Sequence, residues 1–422
     1  MNFFTKIDIP AFSWQIDYKS RLAFFGSCFA DNISAQFASR KFKVLANPFG
    51  TVYNPLSLAK QIKAIADGKL FDEEDVFQDM RLGNHADSEH CGASWHCWDA
   101  HGSLSAKTRE ECIAKLNNAA TQAREFLQKA DVVFITLGTA FVYFLKSTCE
   151  NGESSNKTTR GQVVSNCHRQ DPRLFERRMI SVDEAATAIR EIVEGLCKIK
   201  NDRILRPKFN GSPTQRPQRE KMDSLPSVEN DCIEKDHSTE NRKSESRALH
   251  IIFTVSPLRH LSDGAHANTL SKATLQLAIE KVIRKIDTNP EESRNDNSKH
   301  ISKFTASDDD NFRAVSKPAI TVSYFPSYEI VMDELRDYRF YDDDMIHLSK
   351  TSEEYIFERM KETYCSEKTH ENIRKVEKFM KMANHRIANS QTPASREFAK
   401  KIIEQAETLE KEIAGLKLNN EK

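Results

Sequence analysis

The chain has 422 residues, and its 62 Lys and Arg are balanced by 62 Asp and Glu, so the formal net charge is zero. That balance leaves no clustered basic footprint for displacing counterions, which argues against a nucleic-acid partner. Apolar residues make up only 39 %, below the roughly 45–50 % of ordinary globular domains. The deficit is local, since residues 147–160, 208–247 and 287–316 hold 13 apolar side chains in 84 positions.

Without those three segments the composition is that of a normal folded core, so they are expected to be polar, disordered inserts. The N-terminal Met1-Asn2-Phe3-Phe4-Thr5-Lys6 has no apolar stretch of signal-peptide length. The longest apolar run, residues 132–145, is too short to cross a bilayer. Nine irregularly spaced cysteines favour reduced thiols. These features together predict a cytoplasmic protein with no membrane partner.

In chain order, the apolar run Leu22-Ala23-Phe24-Phe25 closes at Gly26 and reads as a strand. Phe29, Ile33 and Phe37 then repeat every four residues, one face of a helix. Residues 44–46 form a second short strand, ended by Asn47-Pro48-Phe49-Gly50, and helices follow at 55–66 and about 107–129. The β-branched run 132–136 has the pattern of a strand buried on both faces. Ser181 and Glu184 form a capping box for a helix over 181–199. A strand over 250–255, a helix over about 269–286 and a strand over 319–324 complete an alternation that implies a helix-covered parallel sheet. The domain is placed at 1–350, with a helical extension at 351–422. In that extension Thr392-Pro393 starts a helix whose apolar residues, Phe398, Ile402, Ala406, Leu409, Ile413 and Leu416, mark one face. This face either packs on its own domain or makes a helix-mediated protein contact through 392–418.

Open α/β sheets carry their chemistry in the loops after strand C-termini. There Ser27 occupies the turn between the first strand and the first helix, beside the free N–H groups of a helix start. A serine needs a base to become a nucleophile. His347 is a candidate base, and Asp344, three residues earlier, is placed to orient it. Cys28 is a competing thiol nucleophile at the same helix start. His85, His90, Cys91, His96, Cys97 and His101 fall close together, but their spacing does not define a tetrahedral metal site. No metal and no cofactor are expected. Arg177 and Arg178 with Glu176 read as a surface charge cluster.

Gly26-Ser27-Cys28-Phe29-Ala30 resembles the signature of the GSCFA domain family. Further similar blocks follow in order: residues 47–51, 136–143, Asn166-Cys167-His168, 175–178, Val255-Ser256-Pro257-Leu258-Arg259-His260 and Tyr324-Phe325-Pro326-Ser327-Tyr328-Glu329. The family is similar in organisation to the SGNH (GDSL-like) hydrolases. The resemblance implies a three-layer α/β/α sandwich with a flavodoxin-like parallel sheet, the nucleophilic serine after the first strand and a late Asp-x-x-His. Carried over, it makes Ser27 the nucleophile, His347 the general base and Asp344 its orienter. Gly50 and Ser27 would donate backbone N–H groups to the oxyanion.

Two departures stand out. SGNH enzymes add an asparagine donor in a Gly-x-Asn pattern, where this chain has Gly138-Thr139-Ala140, so Thr139 or Asn47 would have to substitute. Leu348 stands where the family usually has proline. His101, in a block resembling the family, and His260 are candidate substrate contacts with Asn47. The expected function is a serine esterase or acyltransferase acting on a small-molecule or carbohydrate ester. The alternative is a binding module that keeps the scaffold without turnover.

Overall fold

A computed structural model describes residues 5–10, 12–79, 94–146, 161–205, 248–287, 302–304, 320–384 and 392–418. Of the three polar segments, 147–160 and 208–247 lie outside these residues, as does most of 287–316.

The elements in chain order are β1 (Arg21–Gly26), α1 (Cys28–Ser39), β2 (Lys43–Ala46), α2 (Pro55–Asp67), β3 (Phe77–Gln78), β4 (Trp95–His96), α3 (Arg109–Leu127), β5 (Val132–Leu137), β6 (Phe141–Leu145), β7 (Val163–Val164), β8 (Phe175–Met179), α4 (Val182–Leu205), β9 (Leu249–Val255), α5 (Ala265–Asp287), β10 (Ser302–Phe304), β11 (Ile320–Tyr324), α6 (Ser327–Glu329), α7 (Lys350–Tyr364), α8 (Glu367–Ala383) and α9 (Pro393–Glu412). Strands β2, β1, β5, β9 and β11 lie side by side in that order, all parallel. Counting only these five in sequence gives the order 2-1-3-4-5, a flavodoxin-like doubly wound sheet.

Alternation along each strand divides the core in two, because successive side chains point to opposite faces. Ala23, Phe25, Val133, Ile135, Ile251 and Phe253 pack with α2, α3, α4 and α5 on one face. Leu22, Phe24, Val132, Phe134 and Ile252 pack with α1, α7 and α8 on the other. The result is a three-layer α/β/α sandwich, as the alternation of elements predicts.

Local signals place the helices. Asn54 caps α2 by accepting from the Ser57 N–H at 2.9 Å, with Pro55 in the first turn. The Ser181–Glu184 capping box closes in both directions, at 2.8 and 3.2 Å.

Two features differ from the sequence expectation. Ser302–Phe304, inside a segment expected to be disordered, pairs antiparallel with β11 and covers its outer edge. Short strands β6, β7 and β8 form a second, antiparallel sheet. It went unread because its members are short and flanked by polar sequence.

The C-terminal helices pack on the domain. Phe357 of α7 is fully buried and meets the Phe37 ring edge-on at 4.9 Å. Tyr364 meets Phe134 of the sheet at 5.8 Å, and Ile16 bridges to Cys365 beside it. Ala406, Ile413 and Leu416 of the last helical segment are buried too. Helices α7, α8 and α9 therefore join α1 and the segment after β11 in the third layer.

Phe357→Ala is accordingly expected to destabilise the whole protein by about 3–5 kcal/mol, the range for truncating a buried phenylalanine. Urea unfolding followed by circular dichroism checks this. A loss below about 1 kcal/mol would show that the C-terminal layer is dispensable.

Candidate active site

The turn after β1 is dictated by a close approach. Gly26 has φ +127°, and a Cβ there would lie 2.0 Å from the Thr136 carbonyl oxygen of β5. Only glycine fits such a position. Asn47 then ties down the same residue: its side-chain oxygen accepts the Gly26 N–H at 2.8 Å, and its amide donates to Asp31 at 2.7 Å. The Val52 N–H donates to the Gly26 carbonyl at 2.9 Å. Asn47 itself sits at φ 35°, a region that asparagine tolerates. Its side chain thus braces the serine turn.

Ser27 occupies the N-cap position of α1 with φ −69° and ψ 174°, yet its hydroxyl makes no capping bond. The residue is 1 % exposed and its Oγ has no hydrogen-bond partner among the described residues. Serines at helix starts ordinarily accept a first-turn N–H, and a buried hydroxyl left unpaired costs about 1–3 kcal/mol.

The Asp344–His347 unit is already assembled. His347 Nδ1 and Asp344 Oδ2 are 2.5 Å apart, and the other carboxylate oxygen accepts the Ile346 and His347 N–H groups at 2.9 and 2.8 Å. The His347 bond, then the two backbone bonds, pulls the Asp344 pKa down to about 2. The loop lies within electrostatic reach of Glu353, which is hydrogen-bonded to Asn32 of α1. His347 is 55 % exposed and forms no hydrogen bond with Ser27. The structure thus brings together two of the three expected members. Leu348, in place of proline, is buried in the α1-side core.

The expected oxyanion donors are all engaged. The Gly50 N–H donates to Asn47 O at 2.7 Å and the Ser27 N–H to Thr136 O at 3.2 Å. The Thr139 N–H donates to Tyr53 O at 3.0 Å, and its hydroxyl lies among Ser271 Oγ at 3.1 Å and the Phe141 N–H at 3.1 Å. In this conformation the Gly50 and Thr139 N–H groups are both engaged. The Gly50 N–H is taken up within its own turn, by Asn47, and the Thr139 N–H by the Tyr53 carbonyl of the neighbouring loop.

His101 is exposed and packs over Gly50, with its ring nitrogen accepting from the Ser103 N–H at 3.2 Å. Of the other clustered residues, His96 bonds Ser105 at 2.6 Å, and Cys97 is buried with its thiol pKa pushed up by burial; His85, His90 and Cys91 lie outside the described residues. Arg177 is exposed, as expected, and pairs at 2.5 Å with the buried side chain of Asp263.

His260 stands edge-on to Tyr53 at 5.6 Å, and its Nε2 would lie 3.4 Å from a Cβ placed on Gly138. Cys28, next to Ser27, has its thiol pKa raised by burial, which disfavours the thiolate.

The residue that sequence reasoning missed is Lys272 of α5. It is 1 % exposed and donates to Gly138 O at 2.6 Å and Ser256 O at 2.7 Å. A signal was present. Lys272 falls on the same helix face as Leu275, Ile279 and Val282, all buried, where the 3.6-residue period demands an apolar side chain.

A family model for the GSCFA family matches residues 21–216, 209–290 and 310–360, well over half of the chain. The chain belongs to the GSCFA family. No curated protein and no solved structure matches it. The GSCFA match takes in Ser27, Asn47, Gly50, His101, Thr139, His260, Asp344 and His347, and it breaks between 290 and 310, within the third polar segment.

Burial pushes the His260 pKa down to about 4, with Lys272 adding to the effect and Asp263 opposing it. The unfolded value is about 6.5, so on acidification the unfolded chain takes up the proton first. Stability is expected to fall as pH drops from about 6.5 to 4, and less steeply in His260→Gln. Urea midpoints at the two pH values measure the difference, and equal losses in both proteins would remove His260 from the account.

Proposed function

We propose that this GSCFA protein is a serine-dependent esterase or O-acyltransferase of SGNH type, working through an acyl-enzyme on Ser27. The observation that carries the reading is the unpartnered Ser27 hydroxyl. It stands at the carboxyl edge between β1 and β5, the switch point where open α/β sheets bind ligands. The preformed Asp344–His347 pair supports it. So does the first turn of α1, left without a side-chain cap and able to face negative charge.

In this scheme His347 accepts the Ser27 proton as Oγ bonds the acyl carbon. The ester C–O bond then breaks and the leaving alcohol takes the proton from His347. Water or an acceptor hydroxyl attacks the acyl-enzyme in the second half. A small-molecule or carbohydrate-linked ester is the substrate class proposed, without cofactor or nucleic acid. The cytoplasm is the compartment proposed, supported by six free cysteines among the described residues. Among these residues no helix is long and apolar enough to cross a membrane.

A fluorophosphonate probe, which loses fluoride to an activated serine, tests the reading. Wild type is expected to label, Ser27→Ala not at all, and His347→Gln at least tenfold more slowly. Equal labelling of wild type and Ser27→Ala would sink the acyl-enzyme. Ser27→Ala is also expected to be as stable as wild type or up to about 1 kcal/mol more stable, because it deletes an unsatisfied buried group. A clear loss of stability by thermal melting would instead assign the hydroxyl a structural task.

The second reading is a binding module on the same scaffold. The engaged Ser27 and Gly50 N–H groups favour it, since an enzyme of this type needs such donors facing the oxyanion. It is the reading to adopt if no serine probe discriminates Ser27→Ala from wild type.

A further inference from the structure

Lys272 lies where no ordinary structural need explains a charge. Its side chain comes from α5, on one face of the sheet, and reaches the carboxyl edge. The sheet register pairs Gly26 with Thr136 and Leu137 with Val255, and Ser256 N donates to Leu137 O at 2.8 Å. Gly138 and Ser256, whose carbonyls Lys272 grips, are therefore the first residues past the ends of β5 and β9, level with the turn that carries Ser27.

An ammonium has three donors, and Lys272 uses two. Its third N–H has no acceptor among the described residues, and no carboxylate there pairs with it. The neighbouring Ser271 works on the same loop: its Oγ accepts the Ala140 N–H at 2.7 Å and bonds Thr139. One turn of α5 thus clamps residues 138–140, the segment where the asparagine donor of SGNH enzymes is missing.

We propose that Lys272 is a positioning residue of the serine site. It ties the loop after β5 to the loop after β9 and sets a single buried charge behind the Ser27 turn. The inference rests on the serine reading for its effect on chemistry, but the tie itself does not. Desolvation lowers the Lys272 pKa to about 7, with Cys28 the one charge partner opposing it. The titratable groups facing it are Cys28 from α1 and His260 from the loop after β9. The charge is present below about pH 7 and lost above it, so serine labelling in wild type should decline as pH rises through that value.

The experiment compares wild type with Lys272→Met, which keeps the length and deletes charge and donors. Two readouts are taken: the pH profile of fluorophosphonate labelling, and hydrogen exchange across 136–141 and 254–260. Lys272→Met is expected to label at least tenfold more slowly, to lose the decline near pH 7, and to exchange faster in those two segments while the rest of the sheet is unchanged. A variant whose exchange equals that of wild type overturns the tie, whatever the labelling shows. A variant that exchanges faster but keeps the wild-type pH profile reduces Lys272 to a structural clip and overturns the electrostatic part. If wild type labels no better than Ser27→Ala, the serine reading fails and takes the electrostatic part with it, while exchange still decides the tie. Should Lys272→Met fail to fold, Lys272→Gln, which keeps a donor, is measured in its place.

Discussion

Everything at the carboxyl edge depends on how closely β1 runs beside β5. With a Cβ excluded at Gly26 by the Thr136 carbonyl, the chain can leave β1 only through a backbone conformation reserved for glycine, and Ser27 follows from that departure. The consequences spread outward. Asn47 must supply the acceptor for the Gly26 N–H, so the loop after β2 is pulled over the turn. Val52 then bonds the Gly26 carbonyl, and Tyr53 takes both the Gly138 and Thr139 N–H groups. One forbidden methyl thus organises the loops after β1, β2 and β5 into a single hydrogen-bonded edge.

That edge is well satisfied almost everywhere, which gives its exceptions meaning. Buried polar groups in folded proteins are nearly always paired. Ser27 Oγ is not, and Lys272 is paired only with carbonyls, without a counter-charge. The two exceptions flank the end of β5, one reached from α1 and the other from α5. Groups held in such unfavourable states persist when a function requires them or when the surroundings leave no alternative. The surroundings of Ser27 do offer one, the first-turn N–H groups of α1, and the side chain does not take it.

How legible all this was from sequence depended on the range of the interaction. Strands β1, β5, β9 and β11 and helices α1 to α5 announced themselves through period, caps and apolar runs, which are local quantities. Ser27 and the Asp344–His347 pair were legible too, because turn position and three-residue spacing are also local. The engagement of Gly50 and Thr139 was not, since it depends on which carbonyl a neighbouring loop happens to present. Lys272 was missed for the same reason. Its acceptors, Gly138 and Ser256, come from two other strands, and nothing within its own helix names them. For the last helix the sequence left two partners open, its own domain or another protein, because a charged helix reveals where its apolar stripe goes only when the sheet face needing cover is known.

The geometry also narrows what turnover would require. Ser27 is fixed by the sheet, whereas His347 rides on a loop that is half exposed. The ends of that loop are pinned, by the Tyr341–Leu348 bridge and by the burial of Leu348. Within it, Asp344 bonds His347 through both side chain and backbone, so acid and imidazole form one rigid unit. Any approach of His347 to Ser27 therefore carries Asp344 with it and is confined to the residues between 341 and 348. Such a motion would preserve the orienting bond while bringing the imidazole nearer the turn after β1. On the serine side the two N–H groups are held differently: Gly50 within its own turn by Asn47, and Ser27 across to the Thr136 carbonyl of β5. Turnover would therefore ask for a shift of the 341–348 loop and the release of one bond to β5, and neither calls for rearranging the three layers.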